Sequence, residues 1–271
     1  VSPLVLPLGL LIGLSLGALG GGGSILTVPA LVYLLGEDPR QATTSSLLIV
    51  GVTALIALVP HARAGRVRVG RGLMFGALGT AGSFAGSALA ARVDLQVLLT
   101  AFAGLMLVVA TLMIRRSLRR GAAGAGPDDP SVGPVLTFRP FDCACPRLAK
   151  VVVTASAVGL LTGFFGVGGG FVVVPALVLA LSFPMPVAVG TSLLVIAVNS
   201  ATALTARVTT TGTHLDGPLV VGFTLAAVAG SLVGGRLASR LRPVVLTRTF
   251  AVLLVLVAGY TATRSLPALT G

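Results

Sequence analysis

The chain has 271 residues, of which 55% are apolar and only 10% charged; its mean hydropathy is +1.04 and its formal net charge is +12. A soluble domain carries about 25% charged residues, so this composition belongs in lipid. The positive charge lies between apolar runs, where it orients a membrane protein, and not in a patch of the kind that binds nucleic acid.

The apolar segments fall at 4–35, 43–60, 72–91, 95–114, 149–182, 187–206, 217–235 and 244–263. Uncharged windows of about 18 to 20 residues cross roughly 30 Å of hydrocarbon. With no water to satisfy open backbone edges, such segments should be helices. They do not alternate as the strands of a membrane barrel would. The expected class is therefore an all-α membrane protein. The start of the sequence, "VSPLVLPLGLLIG", lacks the basic n-region of a cleavable signal peptide.

The first segment contains "GALGGGGSILTVPALVYLLG", with four glycines in a row at Gly20–Gly23. Glycine costs about 1 kcal/mol in a helix interior. The pieces before and after it, 4–19 and 24–35, reach only roughly 24 Å and 18 Å as helices. The second is too short to cross, so a hairpin that enters and leaves on one side fits both. Irregular backbone at membrane depth survives only inside protein or along a wet cavity. A half-helix starting there presents free N–H groups and a positive dipole end, which attract anions. Packing needs small residues on one face only, whereas four glycines in a row cover every face. The run therefore reads as lining for a substrate, with Gly22, Gly23 and Ser24 as contacts. Pro29 and Pro175 fit helices that are kinked or only starting.

Segments two to four carry the next signals. Thr43-Thr44-Ser45-Ser46 opens the second segment, and its hydroxyls could cap a helix or bind a substrate oxygen. Arg63 closes that segment beside His61, which is expected at the membrane interface. Arg63 itself could snorkel or draw anions inward. Gly82 and Gly86 form a G-x-x-x-G pair, expected to serve close helix packing. Residues 115–148 are charged and rich in Gly and Pro, and read as a polar cytoplasmic linker between two domains, 1–114 and 149–271. Cys143 and Cys145 form a lone C-A-C, too few thiols for a metal site. No metal, cofactor or catalytic set is expected.

The second half repeats the first. Shifted by 146 residues, "GGGGSILTVPALVYLL" falls on "GVGGGFVVVPALVLAL", and Gly13–Val50 matches without a gap at 16 of 38 positions. The counterpart of the glycine run is Gly168, Gly169 and Gly170. The counterparts of the hydroxyls are Thr191 and Ser192, and Arg207 follows an A-R pattern like that of Arg63. Gly230 and Gly234 repeat the packing pair. Asn199 lies mid-segment, where an amide needs a partner, and can line a site or bond a neighbouring helix. Its counterpart is Thr53.

The basic loop follows segment two in the first half (Arg63, Arg66, Arg68, Arg71) but segment three in the second (Arg236, Arg240, Arg242). Equivalent loops thus face opposite sides, so the repeats are inverted. Inversion needs an odd number of crossings per half, which the re-entrant first segments supply. Lys and Arg then divide 15 to 4 across the membrane, against 13 to 6 for eight full crossings. The re-entrant arrangement obeys the positive-inside rule better. It places the linker inside and both termini outside.

Duplication of this kind is characteristic of secondary transporters. The paired glycine breaks running into V-P-A-L, the following "ATTSSLL" and "AVGTSLL", and His61, Arg63 and Gly65 in an H-x-R-x-G loop resemble the TauE/SafE sulfite-exporter family. The resemblance covers nearly the whole chain outside 115–148. It implies a multi-pass protein of the bacterial inner membrane that exports small sulfur-containing anions such as sulfite or organosulfonates. The second half departs from the pattern, with Arg207-Val208-Thr209 where the first has Arg63-Ala64-Gly65. The expected partners are a small anionic substrate and the lipid bilayer; a homodimer is compatible with the sequence. No carboxylate falls inside an apolar segment, so the proton or cation relay that intramembrane acids mark is missing. Export could be driven by membrane potential alone, and proton symport through the substrate's own protonation stays open. The rival readings are an anion channel, a carrier of small carboxylates, a membrane-embedded enzyme and an assembly protein.

Overall fold

A computed structural model describes residues 4–90, 93, 95–122, 145–165, 170–211 and 217–265. The described residues are helical, with short connections. In chain order the helices are α1 (Val5–Leu19), α2 (Gly22–Pro29, continued by a π-helical turn Ala30–Leu34), α3 (Pro39–Arg63), α4 (Val69–Ala90), α5 (Leu95–Ala122), α6 (Cys145–Phe165), α7 (Gly170–Leu179), α8 (Met185–Thr211), α9 (Gly217–Arg240) and α10 (Pro243–Ser265). By length and composition, Gln41–Arg63, Met185–Thr205, Gly217–Arg240 and Pro243–Tyr260 can each cross a membrane. The arms Val5–Leu19, Gly22–Leu34, Val151–Phe165 and Gly170–Leu179 are apolar but shorter. The segment expected as linker is helical at both margins, since α5 runs on to Ala122 and α6 begins at Cys145. Cys143 lies outside the described residues.

The chain breaks where the glycines are. Gly20 closes α1 with φ +76, a conformation that favours glycine. Helix α2 then folds back along its own first arm, with Gly23 against Ile12 and Leu16. At its far end Ala30 and Leu31 join Val5, Ala42 and Val220 in one apolar cluster. The start and finish of this hairpin therefore lie at the same end of the bundle. Pro29 has no N–H to give, and the chain passes directly into the π-helical turn, where Leu35 N–H reaches Ala30 O at 3.2 Å.

The second break is followed by the same local geometry. Leu181 N–H reaches Ala176 O at 3.3 Å, and Phe183 N–H reaches Leu177 O at 3.0 Å, as Glu37 N–H reaches Leu31 O. Ala188 N–H bonds Pro184 O as Ala42 N–H bonds Asp38 O. Every one of these pairs is offset by 146 residues. Ser182 takes the left-handed conformation (φ 56) that Gly36 takes in the first half (φ 72).

Helices α3 and α8 run in opposite directions past each other. Gly51 packs on Ser200, while His61, farther along α3, lies against Gly190 near the start of α8. From Ala42 to His61 is roughly 29 Å at 1.5 Å per residue. The first hairpin opens toward the Ala42 end. The second hairpin ends at Leu179, near the Gly190 end, where Arg116 of α5 donates to its carbonyl at 2.7 Å. The hairpins thus come in from opposite ends of the bundle.

Each hairpin is held chiefly by the other half. Helix α1 lies parallel to α9, with Gly13 on Ala227 and Gly17 on Ser231. Helix α6 lies on α4 in the same way, with Gly159 on Gly79 and Gly163 on Ser83. Side-chain-free positions let the backbones touch, which is how helices associate when lipid offers no hydrophobic drive between them. Gly82, Gly86, Gly230 and Gly234 supply the opposing surfaces, as their spacing predicts.

Candidate functional site

The turn of the first hairpin meets the start of α7 in the middle of the bundle. A Cβ on Gly21 would fall on the backbone of Gly170, and one on Gly170 would come within 2.5 Å of Ser24 Oγ. On the other side, a Cβ on Gly20 would lie 2.5 Å from Ser192 Oγ. Gly20, Gly21, Ser24, Gly170 and Ser192 therefore form one cluster drawn from both halves. Gly168 and Gly169 lie outside the described residues.

The four glycines turn out to have four different neighbours. Gly20 faces Ser192, Gly21 faces Gly170, Gly22 faces Leu253 of α10, and Gly23 faces Ile12 and Leu16. A turn in the centre of a bundle is touched from all sides, so each of the four glycines also serves close packing.

The hydroxyls near the turns are tied to backbone carbonyls. Ser24 Oγ donates to Gly21 O at 2.8 Å and Thr27 Oγ1 to Gly23 O at 2.8 Å. Ser46 donates to Thr43 O and Ser192 to Val189 O, each at 2.8 Å. Thr191 Oγ1 accepts from Arg68 N–H at 3.2 Å, which joins the start of α8 to the loop before α4. Thr44, Ser45, Ser46, Thr191 and Ser192 are all buried. Ser45 Oγ and Thr53 Oγ1 are buried without a hydrogen-bond partner.

Asn199 does not belong to the cluster of turns. It faces α4, where Thr80 Oγ1 donates to its Oδ1 at 3.3 Å and Gly76 and Gly79 leave room for the amide. The interhelical role is the one the structure displays. Arg63 is exposed, and the side chain of Arg207 lies outside the described residues.

His61, near the end of α3, is covered by protein at 3% exposure, with Nε2 3.3 Å from Gly17 O. Arg116 was not singled out in the sequence. Its guanidinium bonds Leu179 O and, at 2.9 Å, Ser182 Oγ, and so holds the end of the second hairpin. Nearby, Arg71 stacks over Phe183 at 5.1 Å. Only the placement of these arginines in a basic run was visible in the sequence; the loop they grip was not.

The family model described as "Sulfite exporter TauE/SafE" matches residues 5–261. A "Probable membrane transporter protein" of Xylella fastidiosa (strain Temecula1 / ATCC 700964) is 36% identical over 258 residues, covering 94% of this chain and 92% of that one. The "Probable membrane transporter protein YunE" of Bacillus subtilis (strain 168) is 29% identical over 262 residues, covering 92% of each. No solved structure matches the chain.

Proposed function

We propose, from the premise that this chain belongs to the sulfite exporter TauE/SafE family and is a membrane transporter, that its cargo is a small sulfur-containing anion such as sulfite or an organosulfonate. The anion is held where the two hairpin turns meet and leaves the cell across the bacterial inner membrane. The observation that carries this reading is the cluster of Gly21, Ser24, Gly170 and Ser192, contributed by hairpins from opposite ends of the bundle. Helix starts at Gly22 and Gly170 present N–H groups that have no partner within their own helix, and their dipole ends favour negative charge. Ser24 and Ser192 stand next to them and could exchange their backbone carbonyls for a substrate oxygen.

The antiparallel passage of α3 and α8, which occupy equivalent places in the two halves, supports an inverted relation between the repeats. Alternating access follows by rocking about the meeting point. Because α1 rides on α9 and α6 on α4, each rocking body takes its hairpin from one half and its long helix from the other.

Binding of sulfite, sulfate, thiosulfate, sulfoacetate and small carboxylates to the purified protein tests the reading. Saturable binding of a sulfur oxyanion, weakened by Ser24→Ala and Ser192→Ala, is expected. Tighter binding of carboxylates transfers the site to that class, and flux without saturation in proteoliposomes makes the protein a channel.

A further inference from the structure

We propose that His61 admits an anion to the first hairpin only together with a proton, held on the ring or on the anion, so that cargo and proton move together. This rests on the anion-transport reading above. The His61 side chain sits among three positions that have no side chain: Gly190 of α8 lies by its Cβ, and Gly17 of α1 and Gly235 of α9 lie by Nε2 of the ring. Gly17 lies one helical turn before the break at Gly20, so the niche adjoins the meeting point of the hairpins.

The tautomer follows from the neighbours. Nε2 faces the carbonyl of Gly17. A carbonyl only accepts, so Nε2 carries the hydrogen and Nδ1 is a bare lone pair. That Nδ1 is buried and has no partner. A lone pair repels an anion, so the two can meet in only two ways. Either Nδ1 gains a proton and donates it to the anion's oxygen, or the anion arrives as its acid and donates an O–H to Nδ1. In the first, the new bond is N–H on the ring; in the second, the O–H of the acid stays intact. Both hold an anion plus a proton, drawn from water on the loading side and returned to water on release.

The surroundings favour joint arrival. Helix α1 and the Met185–Thr205 part of α8 carry no titratable side chain. Helix α9 brings Arg236, exposed beside Gly235, and the chain around His61 brings exposed Arg63 and half-buried Arg66, whose N–H donates to His61 O at 3.0 Å. All of these are cations. A buried charge needs a countercharge, and here the incoming anion is the one that supplies it.

The test uses the reconstituted full chain and methanesulfonate, which holds no proton of its own at neutral pH. Wild-type uptake is expected to rise severalfold when the outside is made acidic, and to alkalinise the outside as it proceeds. His61→Gln is expected to lose both responses but keep exchange of labelled for unlabelled methanesulfonate at equal pH, which a purely structural residue would not separate. Wild-type flux without proton movement overturns the proposal, as does a His61→Gln protein still driven by the pH gradient. Should the variant fail to fold, His61→Asn is put through the same assay, and wild-type flux without proton movement still overturns the proposal. Absence of flux with both methanesulfonate and sulfite sinks the transport reading itself, and this proposal with it.

Discussion

Gly21 and Gly170, one from each half of the chain, pack backbone against backbone at the centre of the bundle. Gly21→Ala must push the two hairpins apart. Overpacking of this kind costs about 1–3 kcal/mol, and backbone yields less readily than a side-chain tip. Gly36→Ala meets no neighbour within 4 Å and suffers only from its positive φ, a cost of about 1–2 kcal/mol. Thermal unfolding in detergent should rank Gly21→Ala below Gly36→Ala. Equal losses would mean that the hairpin contact contributes nothing.

The exchange of hairpins between halves predicts mutual dependence. Two chains ending and starting within 123–144 should co-purify when expressed together and carry the same transport activity as the intact protein. Either half alone should aggregate or be degraded, because the glycine faces of α1 and α6 would have no partner. A stable, monodisperse single half would contradict the packing of α1 on α9 and α6 on α4.

Arg116 and Ser182 form a second testable pair. Arg116→Ala removes charge-assisted bonds to Leu179 O and Ser182 Oγ, a loss of about 1.5–3 kcal/mol for each such bond at most. Ser182→Gly gives up one bond but relieves a left-handed backbone, so it should change the unfolding temperature much less. A larger loss for Ser182→Gly than for Arg116→Ala would contradict the clamp.

Asn199 and Thr80 separate an interhelical bond from a substrate contact. If the bond between them is all that Asn199 does, Asn199→Ala and Thr80→Val should reduce stability alike, by about 1 kcal/mol, and leave anion affinity unchanged. A selective loss of affinity in Asn199→Ala, measured by calorimetry on purified protein, would restore it to the site.

The orientation proposed from charge can be checked by labelling. Single cysteines at Gly65 and Leu241, in a background lacking Cys143 and Cys145, should react with impermeant thiol reagents only from the cytoplasmic side. A cysteine at Gly36 should react only from outside. Labelling of the Gly65 and Leu241 positions from opposite sides would remove the re-entrant arrangement.

Much of this architecture could be read from the chain because membranes tie structure closely to length. The arm after Gly20–Gly23 was too short to cross, which suggested a hairpin. The 146-residue offset then pointed to its counterpart at Gly168–Gly170, whereas the equivalent turns at Gly36 and Ser182 emerged only from the structure. What apolarity cannot encode is burial, since Leu and Val face lipid and core alike. His61 therefore gave no sign of lying 3% exposed beneath Gly17, Gly190 and Gly235. The partner of α1 was equally hidden: the spacing of Gly9, Gly13 and Gly17 marks a close contact but not the helix that makes it. The neighbours of Gly20–Gly23 were hidden for the same reason, because an isolated helix does not show that a turn at the centre is touched from every direction.

The pairing of Gly17 with Ser231 also has a consequence in time. At about 10 residues per second, roughly 20 s of translation separates the first hairpin from the helix that receives it. During that interval its glycine face has only lipid, or whatever attends its insertion, to lie against. Synthesis speed through the second half, and access to insertion factors, should therefore govern the yield of this protein more strongly than they govern a bundle whose neighbours emerge in succession.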